Sequence, residues 1–245
     1  MKLKLLGYST AITFLLFISY FFITKEITVE EIKKKNTASI TELAEAGNVH
    51  AQRIVGMIYE KGNEEIDADI EKAKSWYEKS AAQNDADSQY LIGFIYETKT
   101  NVSESIEKAK KYYKQAAAQN HPKALTRLAH MYKEGLNGFS KDALQAKKLY
   151  EQAAEQEDEE AQYSLATFYL LGQEVEQDYL KALHLFERSS TKNHVDSQYE
   201  LGKMYEKGLG VRQDRAKAKE WYGKVCDGGF QKGCDEYRRL NEAGF

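Results

Sequence analysis

Three sets of side chains in this sequence are of types that do chemistry. Asp69, Ser105, Asp142, Asp178 and Asp214 recur at steps of 36 or 37 residues, and carboxylates gathered in one pocket could act as general acids and bases. Five histidines, His50, His121, His130, His184 and His194, suit metal ligation, yet no two stand at an interval such as i, i+4 that would put both on one helix face. Cys226 and Cys234, the two cysteines of the chain, are able to join as a disulfide or to stay as thiols. Which of these chemistries survives depends on the elements that position the residues.

The positioning element is a repeat. Tyr59, Tyr96, Tyr132, Tyr169 and Tyr205 follow one another at the period of the acidic series, and so do Ala73, Ala109, Ala146, Ala182 and Ala218. Each of those alanines is followed three and four residues on by a large pair, such as Trp76 and Tyr77 or Trp221 and Tyr222. A fixed period in the thirties predicts helical hairpins, none of which buries its apolar face alone, so that stacking supplies the core. In the first helix of each copy, small and apolar residues stand at offsets 0, 4, 5, 7 and 8 (Ala51, Val55, Gly56, Ile58 and Tyr59 in the first), one side of a 3.6-residue helix. Gly56, Gly93 and Gly202, with Ala129 and Ala166 in the same slot, predict close approach of the paired backbones, since glycine inside a helix costs about 1 kcal/mol against alanine. Equivalent positions of stacked hairpins lie about a helix diameter, ~10 Å, apart. The acidic series is therefore read as N-caps of the second helices and not as one carboxylate cluster. Ser39 and Glu42 read as a capping box opening a short helix through Ala46, which Gly47 ends.

The last copy, Ser197 to Cys234, is the fullest. Its Leu201, Gly202, Tyr205, Gly208, Gly210, Val211, Asp214, Lys217, Ala218, Trp221 and Tyr222 resemble the repeat of the Sel-1-like family, relatives of the tetratricopeptide repeats, and the resemblance covers about residues 48–234. It implies an all-α fold: a right-handed α-solenoid of five helix-turn-helix repeats with a capping helix at each end, binding other proteins. The second copy departs from the pattern, because Thr98 to Asn101 contains no glycine. The resemblance sets the domains as 26–47 for a stalk and N-terminal capping helix, repeats at about 48–84, 85–120, 121–157, 158–193 and 194–229, and 230–245 for a polar closing helix with Arg238 and Arg239.

Cys226 and Cys234 fall in slots, or one residue beyond, that hold small residues in the other copies, as in Ala81 and Ser88 or Ala154 and Ala161. Small residues at both slots imply that the positions face each other across the turn, within reach of a disulfide. Their spacing also resembles that of the cysteine-rich bacterial Sel-1-like proteins, which are exported. An oxidising compartment suits such a pair; two buried free thiols are the alternative.

Residues 1–25 differ in kind. From Leu5 to Ile23 no side chain is charged, and 19 residues as a helix reach roughly 28 Å, close to the thickness of a bilayer's hydrocarbon. Lys2 and Lys4 precede the run, and no small-x-small cleavage site follows it. An uncleaved inner-membrane anchor through residues 5–23, with the repeats in the periplasm, is the reading, with a removed signal peptide as its alternative. The balance of 35 basic against 38 acidic side chains, a formal charge of −3, gives no basic stripe for nucleic acid.

No cofactor is implied, and no catalytic residue is assigned. The first helices vary at offsets 2, 3, 6 and 9, and from these come the candidate partner-binding residues: Ile54, Met57, Tyr90, Leu91, Phe94, Arg127, His130, Tyr163 and Tyr199. Ile54, Met57, Tyr90, Leu91 and Phe94 are expected to form an apolar patch for a helix or an extended peptide, unless a neighbouring element covers them. The expected function is a non-enzymatic scaffold that binds a protein or peptide. A secreted host-interaction factor and a β-lactam-hydrolysing or penicillin-binding relative are the alternatives.

Overall fold

The computed structural model describes residues 36–98, 103–172 and 175–245. The expected anchor or signal of residues 1–25, the stalk to residue 35 and the loop residues 99–102 lie outside the described residues. Among the described residues no helix is long and apolar enough to cross a membrane.

These residues form twelve helices and no strand. They are α1 Thr37–Glu45, α2 Val49–Lys61, α3 Ile70–Ala82, α4 Ala86–Thr98, α5 Ser103–Ala118 and α6 Pro122–Glu134, followed by α7 Ala143–Glu155, α8 Glu159–Leu171, α9 Tyr179–Ser190, α10 Val195–Lys207, α11 Arg215–Asp227 and α12 Gln231–Glu242. The fold class is the all-α helical-repeat solenoid, and the chain divides into two compact units at Ser80 and Ala81, within α3.

In the first unit, α1 begins one turn earlier than the Ser39 capping box implies. The side chain of Asn36 accepts from the Ser39 amide at 2.9 Å and takes the N-cap role. Gly47, in the left-handed region at φ +92°, follows the helix as expected. Ile40, Ala44, Ala51 and Val55 form the core, with Leu43, Ile54, Tyr59 and Trp76 packed against it.

The second unit pairs α4 with α5, α6 with α7, α8 with α9 and α10 with α11, and ends on α12. The glycine slot is a point of contact within the hairpin: a Cβ on Gly93 would stand 2.9 Å from the Tyr113 ring, and one on Gly202 would stand 2.5 Å from that of Tyr222. Glycine lets the ring lie against the backbone, and the ring's hydroxyl then donates to the carboxylate at offset 9. Tyr113 reaches Glu97 at 2.6 Å and Tyr222 reaches Glu206 at 3.0 Å; the first unit repeats the arrangement with Gly56, Tyr77 and Glu60. Where alanine fills the slot the acid is absent, since Ala129 accompanies Lys133 and Ala166 accompanies Leu170.

Asp142, Asp178 and Asp214 cap α7, α9 and α11 by accepting amides three residues on, at 2.9 to 3.0 Å, and Asp69 accepts from Lys72 at 3.0 Å. Ser105 departs from the series: α5 starts at Ser103, which puts Ser105 inside the first turn, buried, where it cannot cap. Each turn into a first helix carries a residue at positive φ just before the N-cap: Asn84, Asn120, Glu157 and Asn193. Asparagine tolerates this region better than other non-glycine residues; Glu157 is the exception in the series.

Candidate functional site

The face proposed for binding in the second unit is organised by the N-caps of its first helices. Asp85 accepts from the Ser88 amide at 2.9 Å and Asp158 from Ala161 at 2.9 Å. His121 and His194 do the same through Nδ1, from Ala124 at 3.3 Å and Ser197 at 3.2 Å. A neutral imidazole that accepts at Nδ1 carries its proton on Nε2, and those Nε2 atoms reach Asp87 at 3.1 Å and Glu160 at 3.2 Å. The bond from His194 holds the Glu160 carboxyl below its ordinary range.

Three of the four offset-2 residues of this unit meet the next cap. Tyr90 stacks on His121 with ring centroids 5.0 Å apart, Tyr163 packs on His194 at 4.9 Å, and the Thr126 hydroxyl donates to Asp158 at 2.9 Å. Tyr199, whose next cap is Phe230, lies under the Lys232 ammonium at 4.5 Å. The same tyrosines rest on second-helix rings, Tyr90 on Tyr113, Tyr163 on Phe186 and Tyr199 on Tyr222, at 5.5 to 5.9 Å. Tyr90, Tyr163 and Tyr199 are thus half-buried and join one repeat to the next while presenting an edge to solvent.

Within this frame α4, α6, α7 and the start of α8 line an open cavity of about 390 Å³. Buried Tyr150 and Thr126 line its base and Tyr90 one side. Its polar rim takes Lys123, Arg127 and His130 from α6 and Glu159 and Glu160 from the first turn of α8. The Arg127 guanidinium lies 5.3 Å from the Phe94 ring centroid. Burial opposes its charge, but the Glu97 carboxylate and the Tyr113 and Tyr90 hydroxyls outweigh that and raise its pKa.

Of the nominated residues, Tyr90, Leu91, Phe94, Arg127 and His130 lie on α4 and α6, and Tyr163 and Tyr199 hold the equivalent place on α8 and α10. Leu91 and Phe94 are half-buried and His130 is exposed. In the first unit Met57 is 40% exposed, whereas Ile54 packs against the cluster around Ile40.

The chemistry of the other candidates narrows. Two Ser-x-x-Lys spacings, Ser105 to Lys108 and Ser189 to Lys192, invite a nucleophile assignment. Ser189 is fully buried and its hydroxyl donates to the Glu159 carbonyl at 2.8 Å, while the Lys192 ammonium bonds the Glu157 carbonyl; Ser105 is buried too. Among the described residues no three His, Cys, Asp or Glu side chains gather as a metal would require. Cys226 and Cys234 are joined as a disulfide with Cα atoms 4.5 Å apart, fastening α12 to α11.

Sequence reasoning missed the glutamines at offset 1. Gln52, Gln89, Gln162 and Gln198 are all buried, and Gln52, Gln89 and Gln162 donate to the carbonyls of Ala44, Ala81 and Ala154 at 3.1, 3.4 and 3.3 Å. Their amides add a second donor to helix-end carbonyls that already accept the turn amides of Gly47, Asn84 and Glu157. The signal was their recurrence at the repeat period.

The Sel1 repeat family model matches residues 49–85, 86–121, 122–158, 159–194 and 195–230. Among solved structures, the chain is similar to a Sel1 repeat protein from Oxalobacter formigenes, with 28% identity and a TM-score of 0.74 over 82% of this chain and 57% of that one. It is also similar to c5321, a protective antigen present in uropathogenic Escherichia coli strains and displaying an SLR fold, with 27% identity and a TM-score of 0.70 over 88% of this chain and 45% of that one. The chain thus spans about half the length of these two relatives. A Sel1 repeat protein from Klebsiella pneumoniae, matched over its whole length and 84% of this chain, shows 25% identity and a TM-score of 0.54. No curated protein sequence matches the chain.

Proposed function

The chain belongs to the Sel1 repeat family, whose fold is typical of protein–protein interaction scaffolds, and on that premise we propose that it is a non-enzymatic adaptor. It holds a protein or peptide on the exposed face of the first helices of its second unit, with Tyr90, Leu91, Phe94, Arg127, His130, Tyr163 and Tyr199 as contact residues. Residues 5–23 anchor it in the inner membrane with the repeats outside the cytoplasm. The disulfide favours an oxidising compartment, and the uncharged run favours a membrane segment. The observation that carries the binding reading is the cavity at Arg127, which the repeat-to-repeat contacts of Tyr90 and Thr126 frame and leave open.

A photo-crosslinking residue placed at His130 and, as control, at Lys148 tests it in cells; both are exposed, on α6 and α7 respectively. Discrete adducts from position 130 alone are expected. Equal adducts from both positions, or from neither, would reject the face. Alkaline extraction of membranes and labelling of an engineered surface cysteine from outside the inner membrane test the anchor and its sidedness.

A further inference from the structure

The rim charges of the second unit are ordered, and the order specifies a ligand. Three neighbouring first helices present in turn an aromatic shelf, Tyr90 and Phe94 of α4; a cationic pair, Lys123 and Arg127 of α6, with His130 beyond it; and an acidic turn, Glu159 and Glu160 of α8. Lys123, Arg127 and His130 stand at i, i+4 and i+7, one side of the helix. Side chains bridge both junctions: Arg127 lies over Phe94, and Thr126 bonds Asp158. Neighbouring packed helices lie about 10 Å apart, and an extended peptide advances about 3.3 Å per residue. A strand crossing the three helices therefore meets a new one about every third residue.

Resting on the adaptor reading, we propose that the occupant is an extended peptide segment carrying a large apolar residue, an acidic residue and a basic residue at successive three-residue steps. The apolar side chain lies on the Tyr90–Phe94 shelf, the carboxylate faces Arg127 and Lys123, and the cation faces Glu159 and Glu160. Glu97 and the Tyr90 hydroxyl face Arg127 from α4. A guanidinium has five N–H donors in a planar fork, more than that hydroxyl and one carboxylate take up, so donors remain for an incoming acid. Glu160 accepts from His194 with one oxygen and keeps a largely exposed carboxylate. A uniformly acidic or basic peptide would match one wall and be repelled by the other.

Fluorescence anisotropy with the full-length chain reads the proposal. The probes are labelled peptides built on Phe-Ser-Ser-Glu-Ser-Ser-Lys, on the same order reversed, and on Phe-Ser-Ser-Lys-Ser-Ser-Glu. One of the first two should bind at least tenfold tighter than the charge-swapped third. Arg127→Glu should invert that preference, and Lys123→Glu, a change at an exposed position, should weaken the preferred peptide several-fold with the melting midpoint unchanged. Equal binding of ordered and swapped peptides overturns the proposal. If none of the three binds, selection from a displayed random-peptide library separates two failures. Binders that depend on Phe94 but carry no ordered charges sink the charge order and leave the docking face standing, whereas an absence of binders sensitive to Phe94, Lys123 or Arg127 sinks both.

Discussion

The hydroxyl of Tyr113 donates to the Glu97 carboxylate at 2.6 Å across the α4–α5 hairpin, and the ring reaches that position because Gly93 offers no Cβ to block it. Burial, reinforced by that bond, raises the pKa of the phenol. Gly93→Ala should therefore destabilise the chain, since overpacking costs about 1–3 kcal/mol and outweighs the ~1 kcal/mol gained in helix propensity. Denaturant titration of the variant beside Gly93→Ala/Tyr113→Leu checks the cause: the smaller partner should recover most of the loss that alanine adds.

Asp158 serves two donors at once, the Ala161 amide and the Thr126 hydroxyl. Asp158→Ala should cost about 1 to 2 kcal/mol, chiefly the lost cap, since the Thr126 hydroxyl keeps the Pro122 carbonyl as an acceptor at 3.1 Å. Asp158→Asn keeps an acceptor oxygen and should cost less than half as much. In a double-mutant cycle with Thr126→Val the two losses should fall short of additive by about 0.5 kcal/mol or more.

Glu157 occupies the left-handed region, with φ +62°, where Asn84, Asn120 and Asn193 stand in the other turns. Glu157→Asn should stabilise by about 0.5–1 kcal/mol and Glu157→Gly by a similar amount, because a side chain in that region is strained. A lower midpoint for both variants would show that the side chain compensates.

Glu160 gives a pH signature. Its carboxyl is held below the ordinary value of 4.5 by the bond from His194, so the contribution is complete above that value and is lost as the pH falls through the lower folded value. The stability gap between the chain and Glu160→Gln should be present at pH 7 and shrink as the pH falls below 4.5. A gap unchanged by acidification would remove the bond from the account.

Reduction of Cys226–Cys234 should lower stability by about 2 to 3 kcal/mol, the chain-entropy value for so short a loop. The closing helix should nevertheless stay docked, because Leu240 is 2% exposed in a cluster with Tyr205, Ala218 and Tyr222 and Arg239 pairs with Glu206 at 2.6 Å. Hydrogen exchange in α12 with and without reductant measures both statements: faster exchange confined to α12 is expected.

The parts of this fold that one period controls were legible. Tyr205, Ala218 and Asp214 announced their counterparts, and Ala73, Ala109, Ala146, Ala182 and Ala218 are all buried because each repeat solves the same packing problem. What escaped was of two kinds. Ser105 was placed in the cap series by its register, but α5 begins two residues sooner, at Ser103, and register alone does not set a helix start. The glutamines at offset 1 carry no apolar signature, and only the carbonyls they serve explain their burial. At the candidate site the sequence names the variable positions of the first helices, but the role of Tyr90 and Tyr163 as links to His121 and His194 was hidden 31 residues down the chain. A pattern read within one copy does not see its neighbour.

The polar contacts that join repeats in the second unit share one property, reach: the longest, from Gln156 to Asn120 and from Lys232 to Asp196, span 36 residues. Residues 159–194 also run from one N-cap, Asp158, to the next, His194. Excising that stretch would splice a cap onto the start of a helix already adapted to one, with no contact needing a counterpart further away. Such a chain can lengthen or shorten by whole modules through duplication or loss of a gene segment, and the span of its docking face becomes a quantity that heredity adjusts in steps.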